Sequence, residues 1–455
     1  MTDSLGYRLA FILPESRHLL VMQAGRDGAG ELPTIDIPLW RRPAEHLTRL
    51  IEERWQITTV VLDVVADESL PTPCAIVEVR NPSWEFTKES FGEVGVDDLP
   101  DSSLAESERV TLQSILAGED AGRGPFSRIG WVEEAQTWIQ QSISGREVTF
   151  TGALRQLNAG GEFCLVRFST VCGPAVWLKA VGAPNTREFE ITGFLANTCP
   201  QYLPSIAAMR EDWHAWVMDE WGSPLHSSSP LRDFEQAAHK LAHLQIELSD
   251  KSAELLGVHC SDHRIQTLDS RVDTLIAYLD EAMHLQTSTK VVKLSSARLE
   301  TIRTLLHHTC ATLEDLGIPD SLMHSDISPG SILNDGNDCV FTDWCEASVG
   351  NPFITLEQFC AHMARISELS KSQIGALRNT YKSCWMELLP EHKIDKALRL
   401  TPLISILAYF YGRGDWLSSP RRQDPSFQGY ARSLARHMDR IAENTDLMET
   451  ICQRN

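Results

Sequence analysis

From residue 5 to residue 80 the apolar positions recur mostly every second residue. "YRLAFILP", "HLLVMQA", "TIDIPL", "TTVVLDVV" and "CAIVEV" carry β-branched or other apolar residues on that period, which predicts five short strands. Between the third and fourth, "PAEHLTRLIEERW" changes to a 3.6-residue period and predicts one helix. These elements make a small α+β domain over residues 1–100. Acidic, glycine-bearing text follows ("KESFGEVGVDDLPDSSLAESE", then "AGEDAGRGPFSR") and reads as linker around a helix near 103–117. A further helix is expected at "GWVEEAQTWIQQSI", so residues 101–145 form an acidic stretch of linker and helices. Residues 146–223 return to strand-like text. Residues 224–455 are helical apart from one hairpin, "SIL…CVFT", whose turn "NDGND" favours positive φ. A β-rich lobe followed by a helical lobe is a bilobal plan, and ligands favour the cleft of such a plan. No internal repeat is visible.

Composition narrows the function. With 455 residues, 42% apolar and 23% charged, the chain is long enough for two or three globular domains. Its formal net charge of −21 opposes nucleic acid or an anionic membrane as partner, since both need a basic face. Eleven cysteines without a C-x-x-C pair make a poor disulfide framework and a poor zinc site, and fit reduced thiols in the cytoplasm. The N-terminal text lacks a basic region before an apolar core, so no secretory leader is expected. "PLISILAYFYG" is too short to span a bilayer and predicts a core helix.

The chemistry concentrates around the hairpin. Closing it brings the segment before Ser331 near the residue after Thr342, so that Asp326 and Asp343 can face one cleft. Two carboxylates so placed repel unless a cation lies between them, and Mg²⁺ suits oxygen ligands shared with phosphates. "HSDISPGSIL…VFTDWCEA" resembles the H-x-D-x-x-P-x-N…D-W signature of the aminoglycoside phosphotransferase and choline kinase-like family, relatives of the protein kinases. The resemblance covers about residues 146–440. It implies a bilobal protein-kinase-like domain, with a β-rich small lobe and a helical large lobe, after the N-terminal α+β domain. It implies ATP and Mg²⁺ as cofactors and a small-molecule hydroxyl as substrate.

Position by position, the resemblance makes Asp326 the catalytic aspartate that receives the substrate proton and Asp343 a metal ligand. His324 braces the catalytic loop, and Pro329 and Gly330 match its turn. Lys179 in "AVWLKAV" stands where the family keeps its phosphate-binding lysine. Glu188, in the helix "NTREFEITGFLA", is its partner, with Glu190 as second choice. "HAWVMDEWGSPL" resembles the interlobe hinge, with backbone near Asp219, Glu220 and Trp221 for adenine. Gly160 and Gly161 lie where backbone amides could cover the phosphates, although a plain hairpin turn explains them equally well. Taken singly, each of these residues has a structural explanation: a turn, a snorkelling lysine, a solvated acidic helix face. The ordered set of lysine, glutamate, hinge and two aspartates favours the enzyme.

The chain departs from the family at Ser331, where the signature has its second metal-ligand asparagine. A serine hydroxyl can ligate Mg²⁺, yet it reaches roughly 1 Å less far, and Mg²⁺ asks for near-ideal oxygens at about 2.0–2.1 Å. Ser331 is therefore read as a metal ligand acting directly or through water. Asn334, the nearby substitute, is expected to point into the turn. Two further readings stand beside the small-molecule kinase. One is a pseudokinase that binds nucleotide or metabolite. The other is a Nudix-like hydrolase, from a faint likeness around Glu52 and Glu53, whose leading glutamate and closing glycine are absent.

Overall fold

The computed structural model describes residues 4–22, 30–39, 42–67, 72–80, 91–119, 122–412 and 420–444. Two compact units divide the chain. Met1–Phe189 with Ser205–Glu220 make the first, and Glu190–Pro204 with Trp221–Asn455 make the second.

In the first unit the two-residue period becomes a mixed six-stranded sheet. It comprises β1 (Ser4–Ile12), β2 (Leu19–Met22), β3 (Thr34–Pro38), β4 (Thr59–Val65), β5 (Cys74–Val79) and β6 (Phe91–Val94), with α1 (Pro43–Trp55) before β4. The order is β4-β5-β1-β2-β6, and β3 pairs the N-terminal half of β1. Only β1 and β5 run parallel among these pairs. Alternation along β1 splits its side chains. Leu9 and Phe11 pack with Leu47, Ile51 and Trp55 of α1, while Ala10 and Ile12 join a second core on the other face.

That second core is shared. It takes in α2 (Glu106–Ala117), α3 (Trp131–Ser142) and a five-stranded antiparallel sheet. This sheet is β7 (Phe150–Ala159), β8 (Cys164–Thr170), β9 (Val176–Ala180), β10 (Ile206–Arg210) and β11 (Ala215–Asp219), ordered β10-β11-β9-β8-β7. Gln156 of β7 stitches the two sheets together. Its amide donates to the Val61 carbonyl at 2.9 Å and its oxygen accepts from Val61 N–H at 2.8 Å, on β4, the outer strand of its sheet.

The sequence pattern separates a domain at 1–100 from a linker at 101–145. In the structure Leu99, Leu104, Leu112, Ile115, Phe126 and Trp131 all belong to the shared core. The reason is two buried acids whose text reads as solvated. Fully buried Glu108 pairs with Arg8 of β1, whose guanidinium also bonds the Ser103 and Thr72 carbonyls at 2.8 and 2.9 Å. Buried Glu78 accepts from Gly130 N–H at 2.9 Å at the start of α3.

The second unit begins within α4 (Arg187–Thr198) and is largely helical. After β12 (Ser223–Pro224) come α5 (Leu231–Glu247), α6 (Ser252–Gly257), β13 (Ser261–His263), α7 (Ile265–Ser270), α8 (Val272–His284) and α9 (Ser296–Asp315). The loop-bearing strands follow: β14 (Ser321–Met323), β15 (Ile332–Asn334), β16 (Cys339–Phe341) and β17 (Ser348–Gly350). The chain then forms α10 (Phe353–Ile366), α11 (Lys371–Trp385), α12 (Glu391–Gly412) and α13 (Pro425–Ala442). "PLISILAYFYG" is the buried end of α12, and among the described residues no helix is long and apolar enough to cross a membrane. The architecture is α+β, with a β-rich unit and a helical unit.

Replacing Glu108 by alanine leaves the Arg8 guanidinium charged and half-satisfied in the core. The variant should lose about 3–5 kcal/mol of unfolding free energy in urea denaturation. A loss below about 1 kcal/mol, the worth of an exposed pair, would detach α2 from the core described above.

Candidate active site

In the first unit Lys179 lies on β9 between β8 and β11, opposite Leu165 and Trp216. Its ammonium is 2.7 Å from Glu188 Oε1 and 5.5 Å from the centre of the Trp216 ring. The pair is nearly out of water, with 14% of the lysine side chain and 3% of the glutamate side chain exposed. Glu188 is the second residue of α4, where a helix start favours a carboxylate. Ile191, Thr192 and Leu195 are buried on that helix, while exposed Glu190 lies 3.3 Å from the His259 ring instead. Of the two candidate glutamates, Glu188 meets the lysine.

Gly160 and Gly161 open the β7–β8 turn. Position 161 is glycine because a Cβ there would sit 1.4 Å from the Arg123 carbonyl, and the Gly161 carbonyl accepts from Phe126 N–H at 3.0 Å. Packing against residues 123–126 explains this glycine without a ligand. At the expected hinge, Asp219 pairs with Arg146, and Glu220 takes a two-pronged bond from Arg167 at 2.5 and 2.8 Å. That guanidinium holds the Glu220 carboxyl below its ordinary range. Glu220 N–H is committed to the Ala175 carbonyl at 2.8 Å. Trp221 is half-buried and opens the second unit.

In the second unit the strand before the loop is fixed by Gln245 of α5. Buried Gln245 donates to the Leu322 carbonyl at 2.9 Å, accepts from Tyr381 Oη at 2.5 Å, and its own carbonyl takes the Ser321 hydroxyl at 2.6 Å. His324 follows, fully buried. Its Nε2–H donates to the Thr342 carbonyl at 2.8 Å, its ring leans on Trp344 with centres 4.6 Å apart, and burial pulls its pKa down, so it stays neutral. One bond thus ties the residue two before Asp326 to the residue just before Asp343. Asp343 turns the chain at φ 65°, ψ 58°, a left-handed conformation that aspartate tolerates, and its side chain is exposed. Asp326 is half-buried, and its N–H reaches the His324 carbonyl at 2.7 Å. The hairpin pairs Ile332 with Phe341 and Asn334 with Cys339. Asn334 points into the turn, its oxygen accepting from Gly336 N–H at 2.6 Å.

Ser331 is where the structure departs from the sequence reading as a metal ligand. Its hydroxyl donates to the Ser328 carbonyl at 2.9 Å and accepts from Ser328 N–H at 3.0 Å, and the residue is 2% exposed. The proton and one of the two lone pairs of the hydroxyl are used by the turn that positions the loop. Glu52 and Glu53, the faint Nudix likeness, are exposed on α1, with Glu53 in an i,i+4 pair with Arg49 at 2.7 Å.

Asp326 opens onto a cavity of about 410 Å³ within the second unit. Its walls come from α10, α12 and α13, including Gln358, Ile406, Tyr409, Tyr430 and Leu434. Sequence reasoning reached none of these. They lie on three helices downstream of the loop, and their text differs in no way from ordinary core helix.

No protein-family model matches the chain, and no curated protein matches it. The solved structures it is similar to are choline and ethanolamine kinases and aminoglycoside and macrolide phosphotransferases. One is choline kinase from Cryptosporidium parvum Iowa II, at 13% identity and TM-score 0.49, covering 70% of this chain and 96% of that one. Another is the aminoglycoside phosphotransferase of Alicyclobacillus acidocaldarius, at 13% identity and TM-score 0.43, covering 69% and 96%. A third is the ethanolamine kinase of Plasmodium vivax, at 13% identity and TM-score 0.43, covering 66% and 84%.

Because the Ser331 hydroxyl is spent on Ser328, Ser331→Ala should cost about 1–3 kcal/mol of stability. It should leave the Mg²⁺ concentration for half-maximal nucleotide binding or turnover within about twofold of wild type, since Mg²⁺ loses no ligand. A metal requirement raised tenfold at unchanged stability would return Ser331 to the metal.

Proposed function

We propose that this chain is a phosphotransferase that uses ATP and Mg²⁺ to phosphorylate a hydroxyl group of a small molecule. The observation that carries the reading is Asp326. It is a half-buried carboxylate at the lip of a cavity, on a loop held by the neutral His324 and followed across the hairpin by the exposed Asp343.

In the reaction the acceptor oxygen bonds the γ-phosphorus, and the bond from that phosphorus to the β-phosphate oxygen breaks, releasing ADP. The hydroxyl proton passes to the Asp326 carboxylate. Charge stabilisation supplies the larger share of such catalysis, and a positioned base adds about 10²–10⁴-fold. Lys179, aimed by its ion pair with Glu188, is the group of the first unit assigned to the phosphates. Mg²⁺, when bound, neutralises charge on the phosphate oxygens. An exposed carboxylate is a fitting ligand for it, so Asp343 is the residue that would hold it. Asp219, Glu220 and Trp221 are assigned to the adenine by resemblance, with Glu220 N–H excluded because Ala175 already takes it. The ten described cysteines are free thiols, in keeping with a cytoplasmic protein.

Two observations favour a second reading, a pseudokinase that binds nucleotide without turning it over. The metal-ligand asparagine is replaced by a serine spent on its own turn, and one hinge donor is used internally.

Nucleotide affinity and ATP-dependent phosphorylation of an alcohol panel separate the two. Asp326→Asn should keep nucleotide binding and lose at least about 10²-fold in turnover, while Lys179→Ala should weaken nucleotide binding. Wild-type protein that binds Mg-ATP and turns over no alcohol would establish the pseudokinase. Turnover unaffected by Asp326→Asn would remove Asp326 from the chemistry.

A further inference from the structure

We infer that the cavity beside Asp326 takes an uncharged or singly anionic alcohol with a largely apolar body and a second hydrogen-bond donor. The inference rests on the phosphotransferase reading for Asp326, and on the cavity itself for everything else.

Charge disfavours an ammonium group that needs hydrogen-bonding acceptors. Apart from Asp326 the only carboxylate that the described residues place in the wall is Glu357. It is already paired with Arg378, and burial pushes its carboxyl above the ordinary range. No second negative charge is left for an ammonium group, which would have only the proton acceptor to turn to. The remaining ionisable groups lean the other way. Exposed Arg365 lies at the wall, and His362 and His437 add imidazoles, the latter kept neutral by burial and by Arg440. A desolvated cation needs a paired charge, and this wall offers none to spare.

Hydrogen bonding sets the second requirement. Gln358 Oε1 is buried in the wall and accepts no hydrogen bond from the protein. Buried acceptors rarely stay unmet, so the occupant supplies an O–H or N–H there. Other polar groups of the wall are engaged. The Ser405 hydroxyl turns back to the Pro402 carbonyl at 2.9 Å, and the Tyr409 and Tyr430 hydroxyls lie 3.2 Å apart. What is left is apolar: Ile327, Ala361, Ile406 and Leu434. At about 410 Å³ the space suits a molecule of one or two rings.

Equilibrium binding to the full chain, measured by calorimetry, tests the class without requiring turnover. The probes are 1,4-benzenedimethanol and 3-phenyllactate on one side and choline and kanamycin on the other. The first two should bind at least about tenfold more tightly. Gln358→Met should weaken 1,4-benzenedimethanol about tenfold and leave benzyl alcohol, which has no second donor, unchanged. Choline or kanamycin binding as tightly as the neutral diol, or no binding by the diol and 3-phenyllactate, overturns the assignment. A preserved preference with no ATP-dependent transfer would instead count against the phosphotransferase reading alone.

A different observation carries a second site. We infer that His239, His243 and Cys384 bind a divalent metal of borderline softness, zinc foremost. The histidines stand one turn apart on α5 with Nε2 atoms 3.3 Å apart, and Cys384 of α11 brings its sulfur so that all three donors lie within 4.8 Å of one another. Two imidazoles on a tetrahedral zinc at about 2.0–2.1 Å have their nitrogens roughly 3.3 Å apart, so that edge is already set. The three side chains leave the fourth tetrahedral position to water. Cobalt(II) titration of the full chain should show one equivalent binding with a thiolate-to-cobalt charge-transfer band. Cys384→Ser should abolish that band, and His243→Ala should weaken binding at least about tenfold. Absence of the band in wild type, or its persistence in Cys384→Ser, overturns the site.

Discussion

The hydrogen bond from His324 Nε2 to the Thr342 carbonyl ties together the two segments of the helical unit that carry Asp326 and Asp343. Asp326 and Asp343 lie on different strands' ends, and without a fixed link each loop would sample its own range of positions. The bond needs a neutral ring with its proton on Nε2, which complete burial and the Trp344 ring enforce. Gln245 then anchors the strand that delivers the histidine, using its side chain and its own carbonyl. The placement of the loop is set from α5, and it reaches the aspartates through two buried polar residues, Gln245 and His324.

Much of this was legible locally. The alternation of β1–β5, the helix α1 and the hairpin rest on short-range periodicity and turn chemistry, and the structure has each element where the text puts it. The lysine, glutamate and aspartates were read from a family resemblance, which aligned Glu188 rather than Glu190. Two residues of helical phase separate the two glutamates, one meeting Lys179 and the other His259. Long-range partners were not legible. Residues 101–145 look like linker because their text is acidic and glycine-bearing, and only distant partners give them a place in the core: Arg8 for Glu108, and Glu78 for the N–H of Gly130. Ser331 was compared with an asparagine ligand by reach, whereas its fate was settled by Ser328, three residues away. The cavity walls carry no signal at all, being apolar helix faces. The histidine pair on α5 does have a readable spacing, H-x-x-x-H, but its cysteine partner comes from α11.

The first unit shows how polar groups can be structural glue without being exposed. Gln156 satisfies both backbone groups of Val61 where the edge of one sheet becomes irregular, and so fastens that sheet to the next at the cost of no unpaired atom. Arg8 does the same for the turn at Thr72 and Ser103 while neutralising Glu108. Each such residue specifies one arrangement of its neighbours, where apolar contacts alone would allow several.

The shared core behind the five-stranded sheet also governs how this protein can have been assembled over evolutionary time. Val166, Phe168, Val176, Leu178, Ala215 and Val217 form an apolar face covered by Ala10, Ile12, Val60, Leu62 and Ile76 from the N-terminal sheet. A gene fragment encoding only residues 146–455 would lose these partners from its core. The six-stranded sheet is therefore no loosely attached appendage of the five-stranded one. A substitution on either side of that core is constrained by the residues of the other.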